Sequence, residues 1–208
     1  MIIIDGLDKT GKSTLQEGLV KQYEWAFPFR LTRANIDDNR FDDFESDYWK
    51  KFALMQGVEM STVVRLHETG RLHGMVVDRF HGTEWSYLEE GEEKNLDYIW
   101  ELDGKLSVSK YPVVLIFLDA SIGWIMDHLD ENEKSQMHQQ RLEIYRRRFL
   151  DFFERSNMVK IRLAIETHDV HSVLRVARMF LDKTLYTSTH VLSIGRPNEP
   201  DYGGNIKF

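Results

Sequence analysis

Along most of the chain, short unbroken apolar runs alternate with longer stretches in which apolar residues recur at helical spacing. Met1-Ile2-Ile3-Ile4, Met75-Val76-Val77 and Val113-Val114-Leu115-Ile116-Phe117-Leu118 show no polar alternation, the pattern of strands covered on both faces. Met158 to Ile165 reads as a further strand, and Phe29-Arg30-Leu31-Thr32, just past Pro28, as a short second one. Between them the spacing predicts helices over Leu15–Tyr23, Tyr48–Thr69, Thr83–Glu90, Leu96–Val108, Ile122–Leu129, Gln139–Arg155 and Val170–Asp182. Gly70 sits where the long second helix would cap, and Gly91 and Pro112 punctuate the next two. Strands alternating with helices imply an α/β fold of three layers, a five-stranded parallel sheet flanked by helices. No internal repeat or long linker divides the chain, so residues 1–208 read as a single domain. Within it lie a polar break at about 130–138 and an extension at 184–208, which holds one more candidate strand, Val191-Leu192-Ser193-Ile194.

The first apolar run leads directly into Gly6-Leu7-Asp8-Lys9-Thr10-Gly11-Lys12-Ser13-Thr14. This fits G-x-x-x-x-G-K-S/T, and it does so between a buried strand and a helix, as a phosphate-cradling loop requires. Gly6 and Gly11 let the backbone curl so that successive N–H groups point at one centre, and the following helix N-terminus adds positive potential there. Lys12 can reach the β- and γ-phosphates, and the Ser13 hydroxyl can ligand Mg²⁺. The expected fold is therefore a P-loop NTPase fold, with ATP and Mg²⁺ as cofactors.

Composition narrows this only slightly. At 42% hydrophobic and 29% charged the chain is an ordinary globular sequence, long enough to bury a sizeable core. The longest apolar run, Val113–Leu118, is far too short to span a bilayer, and no basic segment precedes an apolar core at the start. The absence of cysteine excludes disulfides, thiolate metal sites and a cysteine nucleophile, and suits a cytoplasmic location. A net charge of −7 disfavours a nucleic-acid partner, so a small anionic nucleotide must be held by a few placed cations.

In parallel sheets, ligands sit beyond the carboxyl ends of the strands. Thr32-Arg33, Asp78-Arg79 and Asp119 all fall at predicted strand ends, as the phosphate loop does. Asp78 and Asp119 are both candidates for the carboxylate that joins Ser13 in a Mg²⁺ shell. Asp119, before Ala120-Ser121, also suits a helix cap; Asp78 is preferred because Arg79 follows it and can stabilise charge on the transferred group. Arg141, Arg146, Arg147 and Arg148 lie on one helix, where pairing with Glu143 and Glu154 makes a solvated face. The polar break Asp130–Ser135 before that helix reads as a lid, with Lys134 and Arg141 as the cations that would close over the phosphates. His168 and His171 read as capping or surface residues, since no further metal ligand accompanies them.

A regulatory GTPase would carry an Asn-Lys-x-Asp guanine reader and a transporter ATPase a Leu-Ser-Gly-Gly signature; neither is present. Small kinases remain, in which a lid excludes water while the γ-phosphoryl moves to a bound acceptor. Ile4 to Thr14, Val76-Val77-Asp78-Arg79-Phe80, and Tyr111-Pro112 through Leu118-Asp119 resemble the thymidylate kinases and their relatives the deoxynucleoside kinases. The resemblance runs to about residue 183. It implies that Gly6, Asp8, Lys9, Thr10, Gly11, Lys12, Ser13 and Thr14 bind the nucleotide, and that Lys12, Asp78, Arg79 and Lys9 serve transfer. It further implies Ser13 and Asp78 as metal ligands, Asp8 against the acceptor sugar, Arg33 and Arg79 on the acceptor phosphate, and Gln56 near the acceptor base. Homodimers are common in that family.

Two positions depart from its pattern. The family follows its second strand with Arg-Glu-Pro, whereas Arg33 is followed by Ala34-Asn35; and where it has a thymine-reading arginine, this chain has Val58-Glu59 with Gln56 nearby. The expected activity is transfer of the γ-phosphoryl group of ATP to a deoxynucleoside monophosphate, dTMP-like by preference. The alternatives are a sugar hydroxyl of a deoxynucleoside, with a base from the acidic stretch Asp37–Glu45, or a hydroxymethyl-pyrimidine nucleotide or DNA base. Outside enzymology, the alternative is a nucleotide-binding switch.

Overall fold

The computed structural model describes residues 1–31, 47–72, 74–87, 97–130, 134 and 139–189. Arg33, the acidic stretch Asp37–Glu45, most of the break at 130–138 and the run Val191–Ile194 lie outside the described residues.

Five strands form one parallel sheet: β1 (Ile2–Gly6), β2 (Phe27–Phe29), β3 (Met75–Asp78), β4 (Val114–Asp119) and β5 (Val159–Ala164), in the order β2-β3-β1-β4-β5. Helices α1 (Lys12–Gln22), α2 (Asp47–Glu68), α3 (His81–Ser86), α4 (Asp97–Ser107), α5 (Ile122–Asp127), α6 (Gln139–Arg155) and α7 (Val170–Thr189) fill the connections. The three central strands are buried along their whole length, which explains why their sequences carry unbroken apolar runs. Ile3 and Ile4 pair with Val77 and Asp78 on one side and with Leu115 and Ile116 on the other. The chain thus leaves β1, returns on one flank as β3 and crosses to the other as β4. The crevice beyond the carboxyl ends of these strands is the topological switch point, where such sheets bind ligands.

The second strand falls earlier than its sequence predicts, over Phe27–Phe29 instead of Phe29–Thr32. The Phe27 N–H donates to Gly74 O at 3.0 Å, so the N–H that Pro28 lacks would have faced outward from an edge, where its loss breaks no ladder bond. Behind this edge the buried Gln16 amide donates to Val76 O (2.7 Å) and Phe29 O (3.0 Å), joining α1 to two strands at once. The last helix continues to Thr189, seven residues past Asp182, and is tied to α1 by a 2.7 Å hydrogen bond from the Tyr23 hydroxyl to Asp182. Helix α3 is wedged against α6 and α4 and reaches β1. It is the element that brings the second strand-end segment to the phosphate loop.

Candidate active site

The loop after β1 is shaped by one close approach. A Cβ at Gly6, whose φ is 147°, would lie 2.4 Å from the Leu118 carbonyl oxygen, so the turn passes β4 at a distance that excludes a side chain. The Lys12 ammonium lies within the curl, donating to Gly6 O (2.9 Å) and Leu7 O (2.6 Å), and Thr10 Oγ1 closes the turn on Leu7 O at 2.8 Å. Lys9 takes a left-handed backbone (φ 66°), as does Arg79 (φ 68°) on the facing segment. Such φ values cost a non-glycine residue about 1 kcal/mol or more and persist where surrounding contacts hold them.

Two side-chain pairs join the loop to the end of β3. Ser13 Oγ donates to Asp78 Oδ2 at 2.7 Å, while Asp78 Oδ1 is buried with no hydrogen-bond partner. A hydroxyl beside a buried carboxylate with one free oxygen is a hard, oxygen-only donor set, and it fits Mg²⁺ shared with phosphates. Among the described residues no cluster of three or more His, Asp or Glu forms a metal cage. On the other side of the loop, Arg79 Nη2 donates to Asp8 Oδ1, and the Tyr87 hydroxyl lies 3.4 Å from Asp8 Oδ2. Burial pushes the Arg79 guanidinium below its usual value, opposed by Tyr87 and Asp5, yet an arginine remains a cation in such a setting.

Asp119 is already occupied. Arg146 grips it through two bonds of 2.9 Å, and Arg162 adds bonds of 3.0 and 2.5 Å to Oδ2. Two guanidinium groups on one carboxylate leave no place for a cation there, so the alternative metal role for Asp119 is excluded. The arginine row of α6 is likewise not one solvated face: Arg146 turns to the sheet, and Glu143 receives Gln139 at 3.0 Å. Arg141 is exposed, its guanidinium over the Tyr145 ring. The Lys134 N–H donates to Asp130 O at 2.9 Å. Gln56 is buried beside Glu84, and with its amide turned so that the nitrogen faces that carboxylate it donates to both oxygens, at 2.8 and 2.9 Å. Between His168 and His171, Asp169 caps α7 by accepting the Ser172 N–H at 2.9 Å.

Several buried polar groups near the loop carry no signal in the sequence. Asp5, the residue before Gly6, is 1% exposed; its Oδ1 accepts Thr83 Oγ1 (2.7 Å) and the Phe80 N–H (3.2 Å), and its Oδ2 has no partner. Burial pushes this carboxyl above its ordinary value, against the pull of Thr83, His81, Phe80 and Lys12. Asp5 thus holds the start of α3 to the end of β1, and Asp8 holds Arg79 and Tyr87, which flank that helix.

No protein-family model matches this sequence. A probable thymidylate kinase from Metallosphaera sedula is 25% identical over 152 residues, covering 68% of this chain and 75% of that protein. The thymidylate kinase of Candida albicans superposes with a TM-score of 0.62 at 14% identity, over 88% of this chain and 90% of that one. The deoxyadenosine kinase of M. mycoides with bound dATP superposes with a TM-score of 0.55 at 15% identity, over 87% of this chain and 98% of its own. The fold is that of a P-loop kinase. Within this P-loop kinase fold, the phosphate loop, the Asp78-Arg79 segment and α3 meet at the switch point, and no helix among the described residues is long and apolar enough to cross a membrane.

Proposed function

We propose that the protein is an ATP-dependent kinase that transfers the γ-phosphoryl group to a deoxynucleoside monophosphate, dTMP-like by preference. The observation that carries the reading is the double junction Ser13–Asp78 and Asp8–Arg79, which unites a triphosphate loop with an acid–cation pair from β3. Ser13 and Asp78 would hold Mg²⁺, and the charge neutralisation that the ion would supply at the terminal phosphates would ease their approach to the acceptor. Lys12 and the loop N–H groups hold the β- and γ-phosphates, and Lys9 neutralises charge on the group in flight. Asp8 orients the acceptor sugar, and Arg79, with Arg33, holds the acceptor phosphate in line. A phosphate oxygen is already ionised at neutral pH, so attack on the γ-phosphorus needs placed cations and no general base. ADP leaves as the P–O bond to the β-phosphate oxygen breaks.

A second reading has its own support. Arg79 is engaged by Asp8, and a carboxylate held by an arginine and a tyrosine suits a sugar hydroxyl as acceptor, as in a deoxynucleoside kinase. The deciding experiment is an ATP-to-ADP assay across deoxynucleosides, their monophosphates and hydroxymethyl-pyrimidine DNA. Turnover with monophosphates supports the first reading and turnover with nucleosides the second. ADP formation independent of every acceptor would overturn both.

A further inference from the structure

Helices α2 and α3 meet at a polar pair that the transfer chemistry above leaves unused. Glu84 lies on α3, three residues before Tyr87, and the Tyr87 N–H donates to Thr83 O at 3.1 Å, so the helical turn runs through both. Residues three apart on a helix share a face. Glu84 therefore stands one turn from the Tyr87 hydroxyl, which reaches Asp8 of the phosphate loop at 3.4 Å, and Asp8 in turn holds Arg79. An acceptor seated at Asp8 and Arg79 would extend along this side of α3. Facing Glu84 from α2, Gln56 is buried, with its terminal amide 2.8 and 2.9 Å from the two carboxylate oxygens.

That contact fixes which way the amide points. Its carbonyl oxygen against the carboxylate would set acceptor on acceptor away from water, whereas its nitrogen there donates to both oxygens. The carbonyl oxygen is thus held turned away from Glu84. Tyr98 from α4 closes the far side by packing on Gly57, the neighbour of Gln56: a Cβ at that glycine would meet the Tyr98 ring at 3.4 and 3.5 Å and its hydroxyl at 3.8 Å. Burial pushes the Tyr98 hydroxyl above its ordinary value, and the nearby Glu84 charge adds to the push. The two ends of a primary amide are nearly the same in shape, so a glutamine without such a partner offers either oxygen or nitrogen by turning over. Glu84 removes that choice.

We propose that Glu84 is a specificity-determining residue for the acceptor base: by holding the Gln56 nitrogen it leaves the carbonyl oxygen to read ring position N3 of a pyrimidine, admitting an N–H and rejecting a lone pair. Thymine and uracil carry an N–H at N3 and donate it to that oxygen. Cytosine carries a lone pair at N3 and meets it acceptor to acceptor. An unbraced glutamine would serve both bases, since it could turn its nitrogen toward cytosine N3. Glu84 thus works by penalising the wrong base, through Gln56 and without touching the acceptor itself. The inference rests on the reading of a pyrimidine acceptor seated at Asp8 and Arg79, and it holds for a nucleotide or a nucleoside alike.

Steady-state kcat/KM in the intact protein, for thymine and 5-methylcytosine acceptors supplied both as deoxynucleosides and as monophosphates, tests the proposal; the two bases share the methyl group and differ at N3 and its neighbour. Wild type should prefer thymine. Glu84→Ala frees the amide, and should raise kcat/KM for 5-methylcytosine and narrow the ratio between the bases by about tenfold, with KM for ATP within about threefold of wild type. Glu84→Gln keeps a carbonyl to which Gln56 can donate, and should retain most of the wild-type ratio. In a Gln56→Ala background, Glu84→Ala should leave the ratio where it is. A ratio unmoved by Glu84→Ala, or moved equally in both backgrounds, would overturn the proposal and mark the pair as packing between α2 and α3. Wild type that turns over neither base in either form would sink the pyrimidine-acceptor reading itself, and this inference with it. Should Glu84→Ala not fold, wild type carries a second test: an acceptor methylated at thymine N3, which has no N–H to give, should be used at least ~10-fold less well than thymine. Equal use of the two would overturn the proposal.

Discussion

Arg79 allows the side chain and the backbone to be tested separately. Its guanidinium donates to Asp8 from a site where the two side chains are 16% and 29% exposed, and its φ of 68° is one that an L-residue adopts at a cost. Arg79→Ala removes the guanidinium and leaves the strained backbone; Arg79→Gly removes the guanidinium and relieves the strain. A hydrogen bond to a charged group is worth about 1.5–3 kcal/mol. At about 1.4 kcal/mol per decade, loss of its equivalent on the acceptor lowers kcat/KM for the acceptor by roughly 10- to 100-fold. Both variants should show this loss equally, while KM for ATP stays within about threefold of wild type. Stability should separate them: glycine should exceed alanine by about 1 kcal/mol, or about 2–4 °C in Tm for a domain of this size. Steady-state kinetics with the acceptor varied, together with thermal melts of both variants, make the comparison. Equal stability of the two would refute the argument from backbone strain. Unchanged acceptor kinetics in both would refute the role of the guanidinium.

Other consequences follow from single contacts. Lys160 Nζ caps the C-terminus of α6, donating to Ser156 O at 2.7 Å, Glu154 O at 2.9 Å and Phe153 O; Lys160→Met should cost about 1–2 kcal/mol in urea unfolding, and an unchanged midpoint would contradict the cap. Asp119→Asn leaves Arg146 and Arg162 short of their shared charge; because both arginines are partly exposed the expected cost is about 2 kcal/mol, with Mg²⁺ dependence of turnover unaltered. Asp5 binds its proton more tightly folded than unfolded, so its contribution to stability is full below about pH 4 and is lost as pH rises from there through its raised folded value. Asp5→Asn should flatten that segment of the stability–pH curve, and an unchanged curve would show that Asp5 is not titrating there.

The central strands were legible because a strand buried on both faces has to be apolar without interruption, and β1, β3 and β4 occupy the middle of the sheet. The charged helix Gln139–Arg155 was legible from its period alone, with the bounds it has in the fold. The edge was less so: β2 has three residues and contains a proline, so its position depends on a register with Met75–Val77 that no local pattern encodes. The same limit governs the site. Gly6 to Thr14 is a local motif, and Asp78-Arg79 follows a recognisable strand. Asp5, by contrast, reads as the last residue of an apolar strand, and its partner Thr83 is 78 positions away. His81 meets Asp103 across 22 positions, and Arg146 meets Asp119 across 27. Such pairings come from packing α3 and α6 over the sheet, and a charge on a helix face does not announce that its partner is a strand end.

The central claim is that the loop centred on Lys12 delivers a γ-phosphoryl group to a nucleotide. Transfer of label from [γ-³²P]ATP to dTMP and to the other deoxynucleoside monophosphates, in wild type and in Lys12→Ala, measures it directly. The account predicts labelled diphosphate formed by wild type, highest with the thymine nucleotide, and at least ~10²-fold less formed by Lys12→Ala, which lacks the ammonium proposed to stabilise the transition state. Equal labelling by both proteins, or label released only as inorganic phosphate, would contradict it.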